Sequence, residues 1–224
     1  MAKNSKGILI ATGIATLIVV TTLIIFRSTR KIIKTRSFSQ RKLNAAITTI
    51  PDTKFNKYDI IIVFGGLHYA TPNWMLTQMN KQTPDLLLSN IVIFLPYSYS
   101  QAQTMDTIAK SSEGRKINSM SIIGFSKGGE NVVNLKNTRR WRFVGLIDPA
   151  IGWNFDSKTW GKETRMTYGS SAMMKIYESN GSRYTNLSNL IHKGGGKSER
   201  TVTDHKLAPE QFFKRFEKQI NYGN

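Results

Sequence analysis

Residues 121–133 read SIIGFSKGGENVV. An apolar run climbs into Gly124, turns at Phe125-Ser126-Lys127, and leaves through Gly128-Gly129 into a segment of helical character. The spacing Gly124-x-Ser126-x-Gly128 is G-x-S-x-G. On a sharp strand-to-helix turn that spacing has a mechanical reason. The serine sits in strained backbone with its hydroxyl exposed, and glycines on either side avoid clashes with neighbouring chain. The helix that follows turns its amide end, the positive end of its dipole, toward a developing oxyanion. Standing alone, the same residues also make an ordinary glycine-rich connection, so the surrounding pattern has to decide.

Working outward, residues 59–64 (DIIIVF) form a continuous β-branched run that ends at Gly65-Gly66. Residues 90–95 (NIVIFL) stop at Pro96, residues 120–124 lead into the turn, and residues 143–147 (FVGLI) end at Asp148-Pro149. A weaker strand is expected over 172–177 (AMMKIY). Helices are expected over 74–82, 104–116, 128–136 and 209–220. In the last of these Phe212, Phe213, Phe216 and Ile220 share one face, and Pro209 suits the first turn. Apolar strands alternating with helices predict an α/β fold, a mostly parallel sheet with helices on both faces. In such a sheet chemistry gathers at the carboxyl ends of the strands.

Two other strand ends carry candidates. Asp148 follows the run 143–147 and stands 22 residues after Ser126, placed to accept a hydrogen bond from a histidine. The same carboxylate also suits a plain Asp-Pro turn. His205 lies in the loop before the final helix. Of the three histidines, His68 follows Gly65-Gly66 and His192 precedes Gly194-Gly195-Gly196. His205, just before the final helix, occupies the place in chain order where a Ser…Asp…His site keeps its base.

That order on an alternating sheet resembles the α/β-hydrolase superfamily. Gly145-Leu146-Ile147-Asp148-Pro149-Ala150 is similar to the Asp-Pro turn of its pancreatic lipase branch. The resemblance covers about residues 55–222. It implies Ser126 as nucleophile, His205 as general base and Asp148 as orienting acid. It also implies an oxyanion hole made by the amide of Lys127 and that of Leu67 or Gly66. Many members keep the acid after the seventh strand, which makes Glu178 a rival; Asp148 is preferred. Lys127 is an unusual neighbour for such a serine, its charge facing either an anionic substrate or solvent. No segment between Asp148 and His205 is long enough for a large lid, so an open site is expected.

The amino-terminal part differs in character. From Gly7 to Phe26 the chain reads GILIATGIATLIVVTTLIIF, twenty residues without a charge. At ~1.5 Å per residue a helix of that length spans a bilayer core. Arg27, Arg30, Lys31, Lys34, Arg36, Arg41 and Lys42 follow, with no small-residue cleavage site. An uncleaved transmembrane anchor and basic stalk over 1–42 is expected, then a single hydrolase-like domain over 43–224. Two lysines precede the span and seven basic residues follow it, so the positive-inside rule places the carboxyl-terminal domain in the cytoplasm. The stalk suits anionic lipid head groups.

The net charge is +18, of which residues 1–42 supply nine charges. The 224 residues contain no cysteine, which excludes thiolate chemistry and disulfides. Dinucleotide and P-loop patterns are missing. Gly196-Lys197-Ser198 resembles a P-loop tail, but Ile191 stands where the required glycine belongs. No cofactor, no metal site and no nucleic-acid partner are expected. The expected function is a membrane-anchored serine hydrolase acting on an ester, thioester or amide acyl substrate. The alternative is a catalytically inactive hydrolase-fold protein with a structural or binding role.

Overall fold

The structure, a computed structural model, describes residues 34–38, 46–152, 155–179 and 181–223. The span expected between Gly7 and Phe26 lies outside them. Among the described residues no helix is long and apolar enough to cross a membrane. The compact unit starts at Lys34 rather than at residue 43, because Lys34–Phe38, assigned above to the stalk, forms a strand.

Among the described residues eight strands make one sheet: β1 (Lys34–Phe38), β2 (Ala46–Ile50), β3 (Tyr58–Phe64), β4 (Ile91–Leu95), β5 (Ile117–Phe125), β6 (Phe143–Ile147), β7 (Thr164–Tyr168) and β8 (Lys197–Arg200). Their order is β1-β2-β4-β3-β5-β6-β7-β8. β2 runs antiparallel to both of its neighbours, and every pairing from β4 to β8 is parallel.

Parallel neighbours require crossovers, and right-handed crossovers decide which face each helix covers. The step from β3 to β4 runs one way along the sheet and carries α1 (Pro72–Gln82) and α2 (Pro84–Ser89). The steps from β4 to β5 and from β5 to β6 run the other way. They carry α3 (Gln101–Ser112) and α4 (Gly128–Leu135) onto the opposite face. Between β7 and β8 come α5 (Ser171–Tyr177) and α6 (Arg183–Lys193), and α7 (Ala208–Tyr222) returns to pack on α1 and β6. Covering both faces explains the unbroken apolar strands. In β3, Ile60, Ile62 and Phe64 join the cluster that includes Ile108 of α3 and Val132 of α4, while Ile61 and Val63, on the other face, are equally buried.

Local signals fix the helix starts. Thr71 caps α1 through its hydroxyl to Trp74 N, with Pro72 at the first helical position. Ser100 and Gln103 form a reciprocal capping box, which starts α3 at Gln101, ahead of the expected 104. The carboxyl half of α7 needs no such device: Phe212, Phe213, Phe216 and Ile220 are buried, as their spacing predicts.

Two expectations are corrected here. The segment AMMKIY is a helix, α5, not a strand; alanine and two methionines favour helix, and only Met173 of the segment is buried. The seventh strand is instead Thr164–Tyr168, hidden in the sequence by Arg165. The Arg165 side chain is buried and donates to the carbonyls of Lys162 and Thr164 at 2.7 and 2.8 Å.

Because β3 leads one way and β5 the other, the sheet has its topological switch point between their carboxyl ends. Phe64-Gly65-Gly66 and Phe125-Ser126 meet there.

Candidate active site

Ser126 occupies the turn from β5 into α4 with φ of 51°. A serine in left-handed backbone costs about 1 kcal/mol or more and persists only where its surroundings hold it. Here they do. Its amide donates to Ile147 O at 3.0 Å, and its carbonyl accepts from Gly129 N at 2.9 Å and Ala150 N at 2.7 Å. The flanking glycines are required by close approach. A Cβ on Gly124 would stand 2.3 Å from Gly128 O, and one on Gly128 would stand 2.4 Å from Gly65 O. Gly66 presses on the serine itself, where a Cβ would lie 2.8 Å from Ser126 Cβ.

Asp148 follows β6 and is fully buried, also with positive φ, 38°. Its amide is fixed by Thr167 O at 2.7 Å. A buried carboxylate needs donors, and this one has three. Gly169 N donates to Oδ1 at 3.1 Å, Ser170 Oγ donates to Oδ2, and His205 Nδ1 donates to Oδ2 at 2.7 Å. Since the carboxylate only accepts, the proton of the neutral imidazole sits on Nδ1 and Nε2 is left as the basic nitrogen. The Phe125 ring backs the imidazole, with centroids 4.6 Å apart. Two more rings continue from it, Trp74 at 5.6 Å from Phe125 and Tyr69 at 5.2 Å from Trp74. Lys206 Nζ lies 5.5 Å from the Tyr69 ring and ties the His205 loop to the loop after β3. Burial raises the Tyr69 hydroxyl above its ordinary pKa, with Asp204 and Asp148 adding to the shift.

The structure thus brings Asp148 and His205 into direct contact and sets Ser126 on the residue next to the ring that backs His205. Among the described residues no hydrogen bond joins Ser126 Oγ to His205.

Glu178, the rival acid, lies elsewhere. It ends α5 rather than a strand, and its carboxylate accepts from Thr185 N at 3.1 Å and from Thr185 Oγ1. The two amides named for Leu67 and Gly66 also separate. Gly66 N is already donated to Ala70 O at 3.0 Å, because the loop after β3 turns tightly there. Among the described backbone hydrogen bonds neither Leu67 N nor Lys127 N is a donor. The charge of Lys127 is paired on its own helix, 2.6 Å from Glu130 Oε1. Sequence reasoning missed Ser170 and Gly169, which hold Asp148 from the far side. Their only signal is a position just past β7, a strand that the pattern concealed.

No family model matches the sequence, and no curated protein is similar to it. Solved structures are similar in fold. Est1E from Butyrivibrio proteoclasticus shares 9% identity over 84% of this chain and 98% of its own, with a TM-score of 0.51. A carboxylesterase from Bacillus subtilis shares 11% over 86% and 93%, with a TM-score of 0.52. A hormone-sensitive lipase from a metagenome library shares 13%, covering 87% of each chain, with a TM-score of 0.52. At such identities the likeness speaks for the fold.

Proposed function

From the α/β-hydrolase fold of this chain, we propose that it is a serine hydrolase of acyl compounds: an ester, thioester or amide. The observation that carries this reading is the fully buried Asp148 bound to His205 Nδ1 at 2.7 Å, beside a serine held in left-handed backbone. Ser126 Oγ attacks the acyl carbon as His205 Nε2 takes its proton. The carbonyl oxygen becomes an oxyanion that the amides of Lys127 and Leu67 receive. Collapse expels the leaving group, which takes the proton back from His205, and leaves an acyl group on Ser126. Water then attacks the acyl-enzyme, gives its proton to His205, and the acid departs as Ser126 recovers its hydrogen.

Leu67 and Tyr69, in the loop after β3, and Leu207, two residues after His205, are exposed. These apolar side chains suit an acyl chain rather than a sugar or peptide backbone. Anchoring through the span from Gly7 to Phe26, with the domain on the cytoplasmic side, belongs to the same proposal and rests on the sequence alone.

One observation favours a second reading, a hydrolase-fold protein with a binding or structural role: Ser126 Oγ and His205 share no hydrogen bond. A serine hydroxyl reorients about one bond, and such contacts tighten when substrate binds. Covalent labelling with a fluorophosphonate decides between the two. The full-length protein should label and Ser126→Ala should not. A folded wild-type protein that fails to label supports the second reading.

A further inference from the structure

The amino ends of β5, β6 and β7 open on a cavity of about 610 Å³, at the opposite edge of the sheet from Ser126. Along β5 the two lie roughly 20 Å apart. Five cationic side chains line it, Lys136, Arg139, Arg140, Arg142 and Lys162, with one carboxylate, Glu163. Like charges so gathered repel one another, and carboxylates pair with two of the five. Glu163 pairs with Lys136 at 2.8 Å, and Asp59 pairs with Arg142 at 2.6 Å. The negative end of α4 accounts for cations just beyond Leu135, but not for their convergence with Arg142 and Lys162 on one hollow.

Arg139 is the telling residue. Its guanidinium lies 5.5 Å from the ring of Trp141, which is itself buried. Its polar contacts are the sulfur atoms of Met120 and Met105, and its Nε is buried without a hydrogen-bond partner. Thioether sulfur is a weak acceptor, so these contacts leave most of the donor capacity of the guanidinium unmet by the protein. Among the described residues no carboxylate lies within ion-pair distance of Arg139 or Arg140.

We propose that this cavity binds a phosphorylated, multiply charged anion, with Arg139 and Arg140 as the chief ligands. A planar guanidinium fork matches phosphate oxygens in pairs. The volume exceeds that of a single phosphate and suits a diphosphate or a phosphorylated head group. The proposal is independent of the catalytic reading, since no residue of that site takes part. A soluble phosphorylated molecule and an anionic lipid head group present the same chemistry, so the test has two arms.

The full-length protein in neutral detergent is titrated with pyrophosphate by calorimetry. It is also mixed with phosphatidylcholine vesicles with and without phosphatidic acid. Saturable pyrophosphate binding assigns a soluble ligand. A gain that depends on phosphatidic acid, without pyrophosphate binding, assigns a head group. In either arm Arg139→Gln/Arg140→Gln should weaken binding at least about 10-fold, the loss of two charged contacts. Lys175→Gln/Lys214→Gln, which removes equal charge elsewhere, should leave it within about twofold. Arg140→Gln alone, at an exposed position, serves if the double variant unfolds, and should still weaken binding. The proposal is overturned if neither probe binds saturably, or if the Lys175/Lys214 variant weakens binding as much as the arginine variant.

Discussion

At the residue scale the site rests on two strained positions, Ser126 with φ of 51° and Asp148 with φ of 38°, each held by backbone hydrogen bonds from neighbouring strand ends. Strain at the serine separates chemistry from stability. Ser126→Ala removes the hydroxyl and keeps the strain, so it should abolish the proposed hydrolysis at little cost in melting temperature. Ser126→Gly removes both. It should be equally inactive yet melt higher by about 2–4 °C, the effect of relieving roughly 1 kcal/mol in a domain of this size. Calorimetry of the pair checks this, and equal melting temperatures would show that the turn is not strained. Ser170 belongs to the same scale. It donates to Asp148 Oδ2, the oxygen that also receives His205 Nδ1, and in the proposed reaction it positions the carboxylate rather than touching the reacting atoms. Ser170→Ala should lower kcat about 10-fold and leave KM and probe saturation concentration nearly unchanged, the signature of an effect on the transition state. A rise in KM at constant kcat would place Ser170 in substrate binding instead.

At the scale of elements, the amino end of β3 is clamped by one carboxylate. Asp59 accepts from Asn118 at 3.0 Å and Ser119 at 2.7 Å on β5, and from Arg142 at 2.6 Å ahead of β6. Burial pushes this carboxyl up, but the hydrogen bonds from Ser119 and Arg142, the Arg142 charge and the Asn118 hydrogen bond together outweigh it and hold the group below its ordinary value. A carboxylate whose pKa is lower folded than unfolded adds stability above the unfolded value, about 3.9. It loses that contribution as pH falls through the folded value. Asp59→Asn should therefore cost about 1–2 kcal/mol at neutral pH and lose part of its acid sensitivity below about pH 4. Urea melts at pH 7 and pH 3 measure both, and a cost that is the same at both values would remove the charge from the account. The same element scale shows what the sequence could disclose. β3, β4, β5 and β6 were legible because central parallel strands are buried on both faces and must be apolar throughout. Ser126, Asp148 and His205 were legible because each stands beside an element that was itself readable. β7 was not, since Arg165 is buried with its charge on backbone carbonyls, and Ser170 was lost with it. β8, reading KSER, carries no apolar signal because its pairing, not burial, holds it. That Gly66 N donates to Ala70 O is likewise something spacing alone does not encode.

At the scale of the whole molecule, the division between the amino-terminal segment and the folded domain lies within what reads as one basic stretch. Composition marks residues 27–42 as stalk, yet Lys34–Phe38 pairs antiparallel with β2 along its full length, from Lys34 opposite Ile50 to Phe38 opposite Ala46. Strand formation there follows from the neighbour. β2 would otherwise end the sheet with a free row of amides and carbonyls, and exposed edges recruit other chains. Two truncated chains test this. One beginning at Lys34 should melt cooperatively and remain monomeric. One beginning at Ala46 keeps every strand from β2 to β8 and all three residues of the proposed triad, but bares β2. It should melt several degrees lower and self-associate as concentration rises, seen by scanning calorimetry and light scattering. Labelling by the fluorophosphonate should survive in whatever fraction stays monomeric, since Ser126 lies at the far side of β4 and β3 from the exposed edge. If the two chains match in melting temperature and mass, β1 contributes nothing to the sheet, and the domain starts where the composition alone would place it.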